Sequence, residues 1–305
     1  MYIGSVRFYK HLILLVIAII CISCITACVC MGISNRNMSK ILEAHGLDPK
    51  GKAQSLEVNS DPAAIAREKM AQYYLTSFEY QRQYPNLMVD NDFQYIEDPE
   101  KSVFLTFDDG PSSLTSKVLD ILKEKDVKAT FFIVYNDSAE ARALYQRMID
   151  EGHTIGVHST CHQYETIYQS PQAFLDDFAQ TAFLIEQSTG VKPEIFRFPG
   201  GSINNYNKSV YQQIIAEMVR RGYTYFDWNV SADDSTATTG KKDIYQNVVS
   251  GVHRFNKSIV LMHDAGNKYD AIDALPGIID DLKAEGYTFC SLNKDIRPVS
   301  FDYAE

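Results

Sequence analysis

The spacing of apolar positions divides the 305-residue chain into three stretches. Residues 12–33 carry no charged side chain, a run long enough to cross a hydrocarbon core as a helix. Residues 34–97 read as a stalk with one helix. Within them Ser60-Asp61-Pro62 supplies a cap followed by an early proline, and Ala66, Met70, Tyr73 or Tyr74, and Phe78 recur at helical spacing. Nothing in this stretch suggests chemistry. From Lys101 onward, short runs rich in β-branched and aromatic residues alternate with helical stretches. The runs are 103–107, 129–134, 154–158, 195–198, 223–230, 259–262 and 288–292. Between them lie stretches such as 114–123, where Leu114, Val118, Ile121 and Leu122 form one helical stripe. This alternation predicts an α/β domain over 98–305, a parallel sheet with helical cover, open or closed into a barrel. In such folds reactive residues sit at the carboxyl ends of strands.

Composition narrows the class. Hydrophobic content of 45% with 22% charged residues is ordinary for a globular chain and excludes disorder or full membrane embedding. Residues 1–40 contain four of the 29 basic side chains (Arg7, Lys10, Arg36, Lys40) and no acid. The remainder therefore carries 39 acidic against 25 basic groups, a net charge of −14. Such a domain repels phosphate backbones and anionic lipid, so nucleic acid is not an expected partner. Arg7 and Lys10 directly precede the apolar run. The positive-inside rule then leaves 1–11 in the cytoplasm, spans the membrane with 12–33 and puts 34–97 and 98–305 outside, a bias that Arg36 and Lys40 weaken. A cleaved signal peptide competes with this single-pass anchor, as does lipidation of Cys28, because Ile25-Thr26-Ala27-Cys28 resembles a bacterial lipobox. Continuation of the apolar run to Ile33 favours the anchor. Only Cys161 and Cys290 lie beyond that run, which excludes a disulfide framework.

Four groups of residues could carry chemistry. Asp108-Asp109-Gly110-Pro111 ends the first predicted strand, and two adjacent carboxylates repel unless a cation or proton lies between them; a solvated turn is the competing reading. His158 and His162 follow the third strand at a spacing that puts both imidazoles on one face of a helical turn, within reach of one ion. Two His and one Asp would make a three-ligand site with a position open to water. Cys161, beside His162, reads as a small packing residue. Arg197 sits in the fourth strand, where an arginine requires a carboxylate partner, and Gly200-Gly201 implies close backbone approach. His263 ends the sixth strand and is a general-acid candidate.

Taken in order, Thr106-Phe107-Asp108-Asp109-Gly110, His158-Ser159-x-x-His162, Arg197-x-Pro199-x-Gly201 and Leu261-x-His263 resemble the motifs of the polysaccharide deacetylase family, the NodB homology domain of carbohydrate esterase family four. The resemblance covers roughly residues 102–292. It implies a distorted (β/α) barrel, here of about seven parallel strands. By position, Asp108 matches the general base, and Asp109, His158 and His162 match the ligands of a divalent metal, usually zinc, with cobalt or another ion as alternatives. Arg197 matches the residue that holds the base. Gly200 matches the position whose N–H binds the oxyanion, where the family often has Tyr. Pro199 and Gly201 belong to the same substrate-binding motif. Leu261 matches a wall of the acetyl pocket and His263 the general acid. One motif departs: the family's Asp-Trp pair falls in Trp228-Asn229-Val230-Ser231-Ala232-Asp233-Asp234-Ser235. Counting from Trp228 puts Asp234 where the Asp that orients the catalytic His belongs, with Ser235 replacing the Trp. Asp233 and Asp227 stay open as alternatives, and Trp228 reads as core or groove wall.

The implied reaction is hydrolysis of N-acetyl groups by a monomer. An external domain tethered to a bacterial-looking membrane points to N-acetylglucosamine or N-acetylmuramic acid of peptidoglycan. Another exopolysaccharide or a chitin-like polymer is the alternative substrate. A non-catalytic glycan-binding domain is the alternative class. A metal-free glycosidase would leave the histidine pair unexplained.

Overall fold

The computed structural model describes residues 79–302, Ala237 excepted, all within one compact unit, Tyr74–Glu305. The expected anchor at 12–33, Cys28 and the helix expected after Ser60 lie outside the described residues. Among those described, no helix is long and apolar enough to cross a membrane.

In chain order the elements are α1 (Glu79–Arg82), β1 (Ser102–Asp108), α2 (Thr115–Glu124), β2 (Thr130–Val134), α3 (Ala139–Asp150), β3 (Thr154–Ser159), α4 (Tyr164–Ile167), α5 (Pro171–Thr189), β4 (Ile195–Phe196), α6 (Tyr211–Arg220), β5 (Thr224–Tyr225), β6 (Val230–Ser231), α7 (Lys241–Val252), β7 (Lys257–His263), α8 (Tyr269–Ala284) and β8 (Thr288–Phe289). The strands form one eight-stranded sheet in the order β5-β4-β3-β2-β1-β7-β6. β8 joins the amino-terminal end of β1, on the path that β2 takes higher up. Every pairing is parallel. Local signals set the helix ends. Ser138 and Ser170 each accept a backbone N–H at the start of α3 and α5, Pro171 opens α5, and Gly190, with φ of +71°, closes it.

Strand alternation sorts the core into two layers. Val103, Leu105 and Phe107 of β1, Phe131 and Ile133 of β2, and Val260 and Met262 of β7 pack outward with the apolar faces of the helices. The intervening positions Phe104, Phe132 and Ile259 pack inward with Ile195, Phe226 and Leu292. The inward row of β1 then continues through Thr106 to Asp108, and that of β7 through Leu261 to His263. Gly156 of β3 lies on the inward row because a Cβ there would come within 2.6 Å of the Phe132 ring.

Two sequence expectations change. The run 223–230 is not one strand. Thr224 and Tyr225 form one edge of the sheet and Val230 and Ser231 form the other, so the chain crosses between edges within residues 226–229. Edges joined by so short a link require a sheet curled into an incompletely closed barrel. The carboxy-terminal segment runs along this crossing: Asp227 N–H donates to Val299 O (2.9 Å), and Phe301 N–H donates to Asp227 Oδ2 (2.8 Å). The second change concerns residues 79–97, given above to a stalk. They pack on the domain, with Leu87 and Val89 in its core and Lys192 Nζ donating to Asn86 O and Met88 O (2.7 and 2.6 Å).

Candidate active site

At the carboxyl mouth of the sheet a cavity of about 310 Å³ is lined by Asp108, Asp109, His158, His162, Tyr164, Gly200, Trp228, Ser235, Leu261 and His263. Asp108 and His263, opposite each other in the β1–β7 register, end adjacent strands on the inward face. In an extended strand Asp109 would point away from Asp108. Its φ of +72° turns the chain instead, so both carboxylates face the cavity.

His158 and His162 do not share a helical turn as expected. His158 lies in β3, and His162 follows in a loop with its own φ at +51°. That loop is wound around the buried carboxylate of Asp177 on α5. Asp177 Oδ2 accepts from Ser159 Oγ (2.7 Å) and Thr160 N (2.8 Å), and Oδ1 accepts from Cys161 N (2.8 Å). His162 N–H then donates to Ser159 Oγ (2.9 Å). Cys161 is exposed, contrary to its expected packing role.

Asp109, His158 and His162 each offer a ligand atom, all within 4.8 Å of one another. Asp109 Oδ1 lies 3.5 Å from His158 Nε2 and 3.3 Å from His162 Nε2, yet it is buried without a hydrogen bond to any described residue. A buried, unpartnered carboxylate oxygen facing two imidazole nitrogens is the arrangement a cation satisfies. His158 Nδ1 contacts Arg197 O at 2.8 Å. That carbonyl accepts a hydrogen bond from Nδ1–H, leaving the Nε2 lone pair for the ion. Burial, then the neighbouring His158, lowers the His162 pKa and favours its neutral, ligating form. The cluster fits a divalent metal.

Arg197 is fully buried immediately after β4. Its Nη1 donates to Asp108 Oδ1 (2.9 Å) and Thr106 Oγ1 (2.6 Å), and Nε donates to Phe226 O (2.9 Å). Asp108 Oδ2 remains directed at the cluster, 3.9 Å from His158 Nε2. At the end of the adjacent strand, His263 Nδ1 pairs with Asp234 Oδ1 (2.8 Å), and Asp234 Oδ2 accepts the His263 backbone N–H (2.8 Å). Burial alone would lower the His263 pKa, but the hydrogen bond and charge of Asp234 outweigh it and raise the pKa above 6.5. The other two aspartates do not reach His263. Asp233 accepts from Ser231 Oγ at the surface, and Asp227 is engaged by Ser202 and Phe301.

Leu261 and Trp228 wall the cavity, and Ser235 opens it. Pro199 and Gly201 do not reach it. Pro199 O accepts from Tyr168 Oη (2.7 Å) and Asn204 Nδ2 (3.2 Å). Gly201 lies beneath Phe301 and Trp228, where a Cβ would come within 2.4 Å of the Phe301 ring. They position Gly200 rather than touch a ligand.

Three contributors escaped the sequence reading. Asp177 could have been found as the polar position at i+3 from Phe174 on the apolar stripe of α5. Tyr164 follows His162 closely but has no motif of its own. Asp264, next to His263, is buried beneath the turn after β1; Thr115 Oγ1 donates to its Oδ2, and Oδ1 has no partner among the described residues. Burial pushes its pKa up to about 7, with Asp109 and Asp108 adding to the effect. Gly110 has no side chain because a Cβ would come within 2.4 Å of this carboxylate.

A family model described as polysaccharide deacetylase matches residues 95–221. The sequence is 30% identical over 207 residues to a peptidoglycan-N-acetylglucosamine deacetylase of Bacillus cereus, covering 66% of this chain and 73% of that relative. The chain belongs to the polysaccharide deacetylase family. It is also 32% identical over 201 residues to the peptidoglycan-N-acetylmuramic acid deacetylase PdaA of Bacillus subtilis (64% and 71% covered). The structure resembles the catalytic domain of a peptidoglycan N-acetylglucosamine deacetylase from Eubacterium rectale, with a TM-score of 0.66 and 36% identity over 70% of this chain and 97% of that one. As a deacetylase of this family the chain is a metal-dependent hydrolase of N-acetyl groups, acting on the carbon–nitrogen bond of an amide.

Proposed function

We propose that this chain deacetylates a peptidoglycan glycan outside the cell membrane, with N-acetylglucosamine as the leading sugar, and releases acetate. The single observation that carries the reading is one cavity shared by the Asp109–His158–His162 cluster, the Asp108–Arg197 pair and the His263–Asp234 pair. Of the three relatives named above, those from Bacillus cereus and Eubacterium rectale are N-acetylglucosamine deacetylases by their names, and the one from Bacillus subtilis is an N-acetylmuramic acid deacetylase. A run of apolar residues at 12–33 preceded by Arg7 and Lys10 supports a single-pass anchor that holds the domain at the wall.

A divalent cation held by Asp109, His158 and His162, zinc by its two-imidazole and carboxylate donors with cobalt as the alternative, supplies Lewis acidity to the acetyl carbonyl and to water. Asp108 is positioned as general base. Arg197 occupies its Oδ1, so Oδ2 takes the proton as the water oxygen bonds to the acetyl carbon. The Gly200 N–H donates to the carbonyl oxygen as negative charge gathers there. The carbon–nitrogen bond then breaks, and His263, protonated on both ring nitrogens with Nδ1 held by Asp234, gives its Nε2 proton to the departing amine. Acetate and a free amino sugar remain. A glycan-binding domain without turnover has no need of an acid and a base beside a metal-ligating cluster in one cavity, which favours catalysis.

The test is to incubate the purified chain with peptidoglycan fragments and, separately, with chitin oligomers, then measure acetate and the acetyl content of the products by mass spectrometry. Acetate from peptidoglycan that disappears with a chelator and returns with zinc or cobalt is the expected result. Release from chitin oligomers alone would move the substrate to a chitin-like polymer. Binding without acetate release would refute the enzymatic reading.

A further inference from the structure

We propose that the Tyr164 hydroxyl is a second hydrogen-bond donor to the acetyl oxygen, acting beside the Gly200 N–H; the inference rests on the deacetylation described above. Tyr164 lines the cavity with Asp109, His162 and Gly200. Its ring is held against three neighbours, with centroids 5.4 Å from His162, 5.0 Å from Tyr206 and 6.2 Å from Tyr168. The side chain is therefore placed by packing, whereas its hydroxyl makes no hydrogen bond to any described residue. Tyr168, one helical turn on, shows the contrast, since its hydroxyl is committed to Pro199 O at 2.7 Å. A partly buried hydroxyl left without a protein partner beside a cavity is available to whatever enters the cavity.

Gly200 fixes where that hydroxyl lies. A Cβ at this residue would come 3.2 Å from Tyr164 Oη and 3.3 Å from Cζ, so the tyrosine occupies the space a side chain at position 200 would need. The φ of +73° at Gly200 also favours glycine there. The peptide joining Pro199 to Gly200 is oriented from its other side. Tyr168 and Asn204 both donate to Pro199 O, and in a trans peptide the N–H points opposite to the carbonyl. The Gly200 N–H, which has no acceptor among the described residues, is thereby turned away from Asn204 and Tyr168. Two unspent donors, one N–H and one O–H, thus lie together at the end of the cavity next to the metal cluster. An oxygen that gains negative charge during reaction is the acceptor such a pair serves best. A sugar hydroxyl is the rival acceptor, and kinetics separate the two.

The experiment compares the unsubstituted chain with Tyr164→Phe, which retains the ring packing, and with Tyr206→Phe as a neighbouring control. It measures kcat and KM for acetate release, together with metal content by elemental analysis. Tyr164→Phe is expected to lower kcat by about 10²-fold with KM and metal content unchanged, and Tyr206→Phe to retain kcat. Unchanged kcat in Tyr164→Phe overturns the proposal. A rise in KM alone also overturns it, because the hydroxyl would then bind the sugar equally in ground and transition states. Loss of metal together with activity overturns it too, assigning the ring to support of His162. If the unsubstituted chain releases no acetate, the functional reading falls and this inference falls with it.

Discussion

Asp108 and Asp109 are adjacent in sequence and face the same cavity, but their surroundings differ. Arg197 and the inner core hold Asp108, whereas Asp109 Oδ1 faces two imidazoles at close range. Their asparagine variants should therefore fail differently. Asp108→Asn keeps the shape and one acceptor for Arg197 but takes no proton, so metal content should stay full while kcat falls by about 10²–10⁴-fold. Asp109→Asn replaces a charged ligand by a neutral one, so metal affinity should fall and excess metal should restore part of the rate. Metal content and rate across a metal titration distinguish them, and an empty Asp108→Asn beside a loaded Asp109→Asn would exchange the roles. The His263–Asp234 pair gives a prediction in pH. Asp234 raises the His263 pKa against the effect of burial, so the acid form persists above pH 6.5 and is lost as pH rises through the raised value. In Asp234→Asn burial is no longer opposed by that charge, the pKa falls, and the alkaline limb of the kcat profile should move to lower pH. An unmoved alkaline limb would show that Asp234 does not hold this proton.

At the scale of elements, the site is strand alternation carried to the strand ends. Asp108, His158 and His263 were legible because apolar runs with a reactive residue at their carboxyl end mark inward rows of a parallel sheet. Periodicity could not show how each loop then turns. The spacing of His158 and His162 suggested a helical turn, but the segment between them gives its backbone and hydroxyl donors to Asp177, nineteen positions beyond His158 in sequence and on another element. The run 223–230 likewise reads as one strand because Phe226 and Trp228 are apolar. Phe226 fills the barrel interior and Asp227 ties Ser202 and the carboxy-terminal segment, which breaks the run into two edges. Counting from Trp228 still led to Asp234, since a short, tightly bonded segment keeps its register. The Asp177 loop is testable by Asp177→Asn, which puts an amide donor where at least one backbone or hydroxyl donor needs an acceptor. His162 should lose its fixed position, with metal affinity weakened about 10–100-fold. Competition against a chelator measures this, and unchanged affinity would mean that His162 is held without Asp177.

For the molecule as a whole, the question is where the folding unit begins. Arg221, just after α6, is 1% exposed and lies near the amino end of β5, opposite the catalytic mouth. Its guanidinium donates to Glu217 Oε1 (2.7 Å), Tyr84 O (2.9 Å), Leu87 O (3.3 Å), Tyr80 O (3.1 Å) and Gln83 O (2.9 Å). Four of these five acceptors belong to the segment before residue 98. Val89 N–H donates to Arg221 O (2.7 Å), and Gly222 is glycine beneath it because a Cβ would come within 2.0 Å of Val89 O. A chain beginning at Asp98 would leave Arg221 with Glu217 alone, in contact with water on a surface that Leu87 and Val89 had covered. Each hydrogen bond that the charged Arg221 exchanges for one to water loses about 1.5–3 kcal/mol net, and each lost apolar side chain about 1.5–3 kcal/mol. Together these are a large share of the roughly 5–15 kcal/mol that holds a domain folded. A chain beginning at Tyr74 should therefore unfold in one cooperative transition at a distinctly higher temperature than one beginning at Asp98. Because the lost contacts lie at the end of the sheet away from the cavity, whatever fraction of the shorter chain is folded should bind metal and turn over at the longer chain's rate. Calorimetry together with activity per metal-loaded molecule provides the comparison. Equal melting temperatures would show that residues 74–97 are an attached stalk after all, and a lower rate per loaded molecule would show that they also support the site.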